Sequence, residues 1–455
     1  MAPSARWPST EADASPLGQP LKFEFSGRTT PNRFLKGAMT ERISSWSPTD
    51  VKSRGVPSRE LINLYRRWGE GNYGVILTGN VMIDPEHLEA AGNPIVPRDA
   101  PFEGERFERF KALATETKKG GGALLVAQVS HPGRQVSDRI QKNPISASAV
   151  QLEGEMMGMT FAKPREASQE DIDGVIDGFA HAAEYLEKAG FDGVELHGAH
   201  GYLLAQFISP TTNQRTDKYG GSLENRSRII IEVANEIRRR TKPGFSVSIK
   251  LNSVEFQEAG LQTDEAREIC SILETNGFDF VELSGGTYQK LAFDYDLIER
   301  ESTKRREAFF MTFAEMIAPA LSKTKVYVTG GFKTVGAMIE SLQTVDGIGI
   351  ARPACQEPRL PKDILSGKVK GAIKMQFDEN DFGIQLIAAG THMQQIGNDN
   401  EPVDLSSTEN VEAFKKDMGV WAQRMGEDKE GRLQAYVDVT SVPAVPYGTA
   451  VAPLS

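Results

Sequence analysis

Between His197 and Tyr202 the sequence HGAHGY brings two imidazoles and a phenol within six residues, directly after the apolar run FDGVEL. These groups donate hydrogen bonds or protons near neutral pH, so His197, His200 and Tyr202 suit a reaction that polarises an oxygen and delivers a proton. A turn rich in arginine, aspartate and glycine follows (Arg215, Asp217, Tyr219, Gly220, Gly221), and a helix is predicted to open at Ser222. Further on, VTGGFKT and GIGIARP set Gly330, Gly331, Gly349, Ala351 and Arg352 at the ends of two strand-like segments. Small residues let backbone N–H groups approach a phosphate, and an arginine can pair with it. Gln128 offers a donor and an acceptor to a planar heterocycle. Lys250 has three readings: a counter-charge for such a ligand, an internal partner for Glu195 or Glu282, or a Schiff-base lysine.

Positioning these groups takes a regular frame. Short apolar segments are predicted as strands at Phe34–Met39, Gly74–Val81, Ala123–Val129, Gly193–His197, Ser246–Leu251, Phe280–Ser284, Val326–Thr329 and Gly347–Ile350. Amphipathic stretches between them, including Asp171–Ala189, Leu223–Arg240, Asp264–Thr275, Ala308–Leu321 and Thr334–Leu342, read as helices. Ser168 with Asp171 forms a capping-box pattern. Eight strands alternating with helices predict an α/β chain folded as a (β/α)8 TIM barrel. A doubly wound open sheet is disfavoured because no GxGxxG turn follows the first strand. The expected layout is a lead-in over 1–29, a barrel over 30–370 and a helical C-terminal extension over 371–455, packing on the barrel or on a second subunit.

Strand parity argues for closure. Gln128 and Ser130 alternate with Ala127 and Val129, Glu195 and His197 with Val194 and Leu196, and Lys250 and Asn252 with Ile249 and Leu251. Period-two alternation puts the polar set on one surface, which in a barrel is the interior near the C-terminal rim. Two insertions, Pro132–Ala167 and Gly285–Glu307, belong to that rim and read as lids or walls.

The net charge of -10 argues against a general nucleic-acid or anionic-membrane surface. Cys270 and Cys355 are too few for a disulfide framework, a zinc cage or an iron–sulfur cluster, so no metal is expected and the compartment should be reducing. A polar, proline-bearing N-terminus and the lack of an 18-residue apolar run point to a cytoplasmic protein.

HGAHGYLLAQF with RTDKYGGSLENR over 197–226 resembles the old yellow enzyme family of FMN-dependent NAD(P)H oxidoreductases and ene-reductases, as do NRFLKGAMTE, AQVSHPGRQ, VTGGFKT and IGIARP. The resemblance spans about residues 20–370. It implies FMN in a TIM barrel, NADH or NADPH as electron donor, and an activated alkene as small-molecule substrate. It would assign Ala38, Met39, Thr40 and Asn80 to the flavin wall, Gln128 to the pyrimidine ring and Lys250 to the flavin charge. Gly330, Gly331, Gly349, Ala351 and Arg352 would hold the phosphate. His197 and His200 would grip the substrate oxygen, with Tyr202 as proton donor. Lys250 stands where the family usually carries arginine, and Asn80 where a small residue is common. A Schiff-base lyase using Lys250 and a non-catalytic flavin-binding module are the competing readings.

Overall fold

In the computed structural model, residues 4–156, 158–252, 260–285, 311, 313–379 and 381–448 are described. Eight parallel strands pair in sequence order: β1 (Phe34–Lys36), β2 (Val75–Leu77), β3 (Leu124–Ser130), β4 (Gly193–Gly198), β5 (Ser246–Asn252), β6 (Phe280–Ser284), β7 (Lys325–Thr329) and β8 (Gly347–Ile350). The pairing of β8 with β1 closes the ring. Flanking helices include α1 (Arg59–Gly69), α2 (Gly104–Lys118), α3 (Gln169–Lys188), α4 (Leu223–Arg240), α5 (Thr263–Thr275) and α6 (Val335–Ser341). The closed barrel is the fold that the alternation predicts.

The ladder explains why polar residues meet. Gln128 pairs with Glu195, His197 with Lys250, and Lys250 with Glu282, so inward side chains stack in register. Their outward neighbours Val194, Leu196, Ile249, Leu251, Val281 and Leu283 join the core beneath the helices. The lower barrel is apolar instead: Leu35, Val75, Leu77, Val126, Phe280 and Tyr327 surround Phe23, which follows the hairpin strand Leu21–Lys22. An apolar plug below and polar groups above confine chemistry to the C-terminal rim.

Two predicted strands are shorter than expected. The first stops at Lys36, and the second leaves the ladder after Leu77. A Cβ on Gly79 would lie 2.2 Å from Glu41 Oε2, and this close crossing carries Asn80 toward the barrel mouth. The Ser168–Asp171 capping box is present at the start of α3. After the barrel come α7 (Phe382–Gly397) and α8 (Thr408–Glu427), with α7 packed on α1. Among the described residues no helix is long and apolar enough to cross a membrane. Of the two expected insertions, 132–167 is described except for residue 157. Most of the second, including Tyr288, Tyr295 and the ESTKRRE run, lies outside the described residues.

Candidate active site

One cavity of about 1440 Å³ opens at the C-terminal rim. Ala38, Met39, Thr40, Asn80, Gln128, His197, His200, Tyr202, Lys250, Gly330, Gly331, Gly349, Ala351 and Arg352 all line it. Those fourteen residues come from the ends of seven strands, so closure of the barrel is what brings them together.

The histidine–tyrosine cluster is built by a sharp turn after β4. His200 and Gly201 both have left-handed backbone, with φ of 56° and 77°. This costs His200 local strain and folds His200 and Tyr202 back over the strand end. Gln135 Nε2 donates to His200 O at 3.1 Å, and His200 N–H donates to Asn252 Oδ1 at 3.2 Å, holding the turn from both sides. The Tyr202 ring centroid lies 4.3 Å from that of His197. His197 Nδ1 meets Asn80 Oδ1 at 2.7 Å, its Nε2 meets His200 Nδ1 at 3.1 Å, and His200 Nε2 meets Ser284 Oγ at 2.9 Å. Burial holds both imidazoles neutral: His197 falls well below its ordinary range and His200 to about 3, with Lys250 adding to each effect.

The floor is a charge network. Lys250 Nζ donates to Glu282 Oε1 at 2.8 Å, and Gln128 Nε2 donates to Glu195 Oε2 at 2.6 Å. Burial works against a charge on Glu282, but Lys250 together with hydrogen bonding from Glu195 and Thr329 outweighs it and keeps that carboxyl below its ordinary range. Burial and the neighbouring Glu282 push Glu195 up, so Glu195 carries the proton. Glu195 Oε1 and Glu282 Oε2 otherwise have no donor, and one proton shared between them satisfies both. Lys250 therefore pairs with Glu282 inside the barrel, as one of its sequence readings has it, and also lines the cavity.

The donor set fits a flavin mononucleotide. Gln128 and Lys250 present amide and cationic groups to a planar ring, while Gly330 and Gly331, at φ of 155° and 87°, open the rim at β7. At Gly349 a Cβ would meet Thr329 Oγ1 at 1.6 Å, so only glycine allows this approach.

Four features escape the sequence reading. The Arg215–Arg226 segment is a brace. Arg215 pairs with Asp217 at 2.5 Å and donates to Ala147 O and Ala167 O, tying the 132–167 insertion to the turn, while Arg226 bonds Glu265 and Ile208 O. Glu89 is a half-buried acid on the wall, reached by Thr40 Oγ1 at 3.0 Å and Asn93 Nδ2 at 3.0 Å. No motif marked it, because it is a lone acid in an irregular loop. The extension supplies Met375, Phe382, Leu386, Trp421, Met425 and Tyr436 to the cavity lining. Outside the cavity lining, Asp84, His87 and His131 bring potential metal-ligand atoms within 4.8 Å of one another. There His87 Nδ1 is engaged by Asp84 at 2.8 Å, and the two imidazoles stack at 4.7 Å.

Comparison with known proteins agrees with this geometry. The profile of the NADH:flavin oxidoreductase / NADH oxidase family matches residues 16–370. An NADH-dependent flavin oxidoreductase of Aspergillus parasiticus is 54% identical over 417 residues, covering 92% of this chain and 94% of the relative. A 12-oxophytodienoate reductase 1 of Oryza sativa is 41% identical over 211 residues, 46% of this chain and 54% of the relative. Morphinone reductase in complex with tetrahydroNAD shares the fold, with a TM-score of 0.61, 22% identity, and coverage of 78% and 92%. The chain is thus an enzyme of the NADH:flavin oxidoreductase / NADH oxidase family, the old yellow enzyme family, with FMN as cofactor and NAD(P)H as electron donor.

Proposed function

We propose that the enzyme reduces activated C=C bonds, in particular α,β-unsaturated carbonyls, with NADH or NADPH as reductant. The observation that supports this most directly is the convergence of Tyr202, His197 and His200 on the cavity that Gln128 and Lys250 floor. In this reading Ala38, Met39, Thr40, Asn80, Gln128 and Lys250 hold the flavin ring, and Gly330, Gly331, Gly349, Ala351 and Arg352 hold its phosphate. FMN, when bound, supplies the two-electron chemistry that carries a hydride from NAD(P)H to the alkene β-carbon. His197 and His200 hold the substrate oxygen and polarise the alkene through it. Tyr202 gives its phenolic proton to the α-carbon and regains one from solvent, so a hydride and a proton together saturate the bond. Buried free Cys270 and Cys355 suit a reducing, cytoplasmic setting.

Stopped-flow kinetics of Tyr202→Phe test the assignment. Alkene reduction should slow by about 10²–10⁴-fold while flavin reduction by NAD(P)H is preserved. Equal loss in both half-reactions would remove Tyr202 from the proton-donor role. An anaerobic titration of the purified yellow protein with NADH and with NADPH identifies the preferred donor. Borohydride trapping of a carbonyl compound on Lys250 would instead favour the lyase reading.

A further inference from the structure

Arg42 lines the cavity two residues past Thr40. Among the described residues its guanidinium makes no hydrogen bond and no ion pair, and its Nε is enclosed without an acceptor. Its backbone sits at φ of 59°, a conformation that costs an arginine energy and a glycine none. Gly92 enforces it: a Cβ there would lie 2.7 Å from Arg42 C, and Gly92 O takes the N–H of Ser44 at 3.0 Å. The guanidinium carbon lies 5.3 Å from the ring centroid of Tyr436, so the C-terminal extension holds it on an aromatic face. Other basic groups of the wall are occupied or solvated. Lys250 and Lys333 pair with Glu282 and Glu379, and Arg54 donates to the carbonyls of Ser47, Pro48 and Pro85. Arg352 is assigned to the FMN phosphate, while Arg139, Lys142 and Lys429 are solvent-exposed. Glu89, whose field Arg42 feels, makes a poor counter-ion: burial raises its pKa, and Thr40, Asn80 and Asn93 take up its oxygens. A strained backbone, an unsatisfied donor and an unpaired charge all cost folding energy, and an anionic ligand would offset that cost.

We propose that Arg42 is an anion anchor of the active site: its guanidinium binds a carboxylate or phosphate oxygen of a ligand in the cavity, with Tyr436 fixing its direction. With Nε enclosed, the two Nη groups are left to meet the ligand, a fork that suits two oxygens of one anion. Two ligands of the reaction can carry such a group. One is NAD(P)H, through its diphosphate. The other is an activated alkene that bears a carboxylate. The first source follows from the electron donor alone, and only the second rests on the alkene-reducing function proposed above.

Binding measurements on FMN-loaded Arg42→Met test it in two arms. In the first, the dissociation constant for NADH, read from the concentration dependence of flavin reduction, should rise about tenfold or more. Flavin reduction by 1-benzyl-1,4-dihydronicotinamide, a hydride donor without phosphates, should be unchanged. Arg42→Lys keeps the charge and should recover part of the loss. In the second arm, 2-, 3- and 4-carboxycinnamaldehyde are compared with cinnamaldehyde by flavin difference spectra. A carboxylate that reaches Arg42 should tighten binding to the wild type, and Arg42→Met should erase that gain without weakening cinnamaldehyde itself. A loss in the first arm makes the anion the nucleotide's, and a loss in the second alone makes it the substrate's. The proposal fails if NADH and all three carboxylates bind Arg42→Met as they bind the wild type. It fails equally if charged and uncharged ligands weaken together, since that marks a structural role. Should Arg42→Met fail to fold, Arg42→Gly, which suits the left-handed backbone, takes its place in both arms. Weakened NADH binding in an enzyme that reduces no alkene would sink the proposed function and leave the anchor standing.

Discussion

Lys250 and Glu282 show how burial changes the meaning of a residue. With side chains only 5% and 0% exposed, neither can fall back on water if the other is lost. Glu282→Gln leaves an ammonium facing an amide in the barrel interior and should cost about 3–5 kcal/mol of folding stability. Replacing both, as Glu282→Gln with Lys250→Met, removes the stranded charge, so the double variant should be more stable than the single one. Urea unfolding midpoints measure this directly, and a double variant weaker than Glu282→Gln would refute the coupling. The polar identity of this floor was legible from strand parity, which set Gln128, Glu195, Lys250 and Glu282 on one face. Which carboxyl keeps a proton was not, since that depends on a 2.8 Å contact between strands that sequence does not report. Glu89 was invisible for a related reason: its meaning comes from Asn80 and Asn93 folding around it.

At the scale of elements, the strands were readable because each alternates between a helix-covered face and an interior face, a constraint that leaves its mark every second residue. Helix α7 left no such mark. It is buried around much of its circumference, from Ala388 and Ala389 to His392 and Met393, and so lacks the one-sided apolar stripe that reveals a surface helix. Turns carry even less pattern, yet the turn after β4 is the element on which the active site depends most. Gly201 has φ of 77°, and a Cβ there would lie 2.5 Å from Gln135 Oε1, the side chain that buttresses the turn. Gly201→Ala should therefore add about 1–2 kcal/mol of local strain and displace Gln135. The expected signature is a drop in alkene-reduction rate with FMN still bound, read by stopped-flow on the yellow protein. Full activity in Gly201→Ala would show that the turn tolerates a left-handed alanine and that Gln135 does not hold it.

At the scale of the whole molecule, the C-terminal extension is part of the active-site wall. Tyr436 OH donates to Thr40 O at 2.9 Å, Gln434 Nε2 to Ser44 O at 2.8 Å, and Trp46 Nε1 to Gly431 O at 2.7 Å, so the extension grips the loop that follows β1. Within the extension, His392 lies fully buried on α7, with Nε2 donating to Val403 O at 3.1 Å. Burial lowers its pKa to about 4 from an ordinary 6.5. A histidine with a depressed folded pKa binds its proton more readily in the unfolded chain, so its contribution is complete above pH 6.5. That contribution is lost as pH falls from 6.5 toward 4, by about 1.4 kcal/mol per pH unit. His392→Gln keeps an amide N–H for Val403 O and removes the titration. Wild-type folding stability should therefore fall more steeply than that of the variant between pH 6.5 and 4.5, with the two slopes differing by about one proton. Because the extension grips the β1 loop, FMN release should accompany that acid loss in the wild type and shift to lower pH in His392→Gln. Denaturant titrations across this range, followed by flavin fluorescence, measure both quantities. Parallel slopes would mean that His392 is already protonated in the folded protein and that the extension draws no stability from its neutrality.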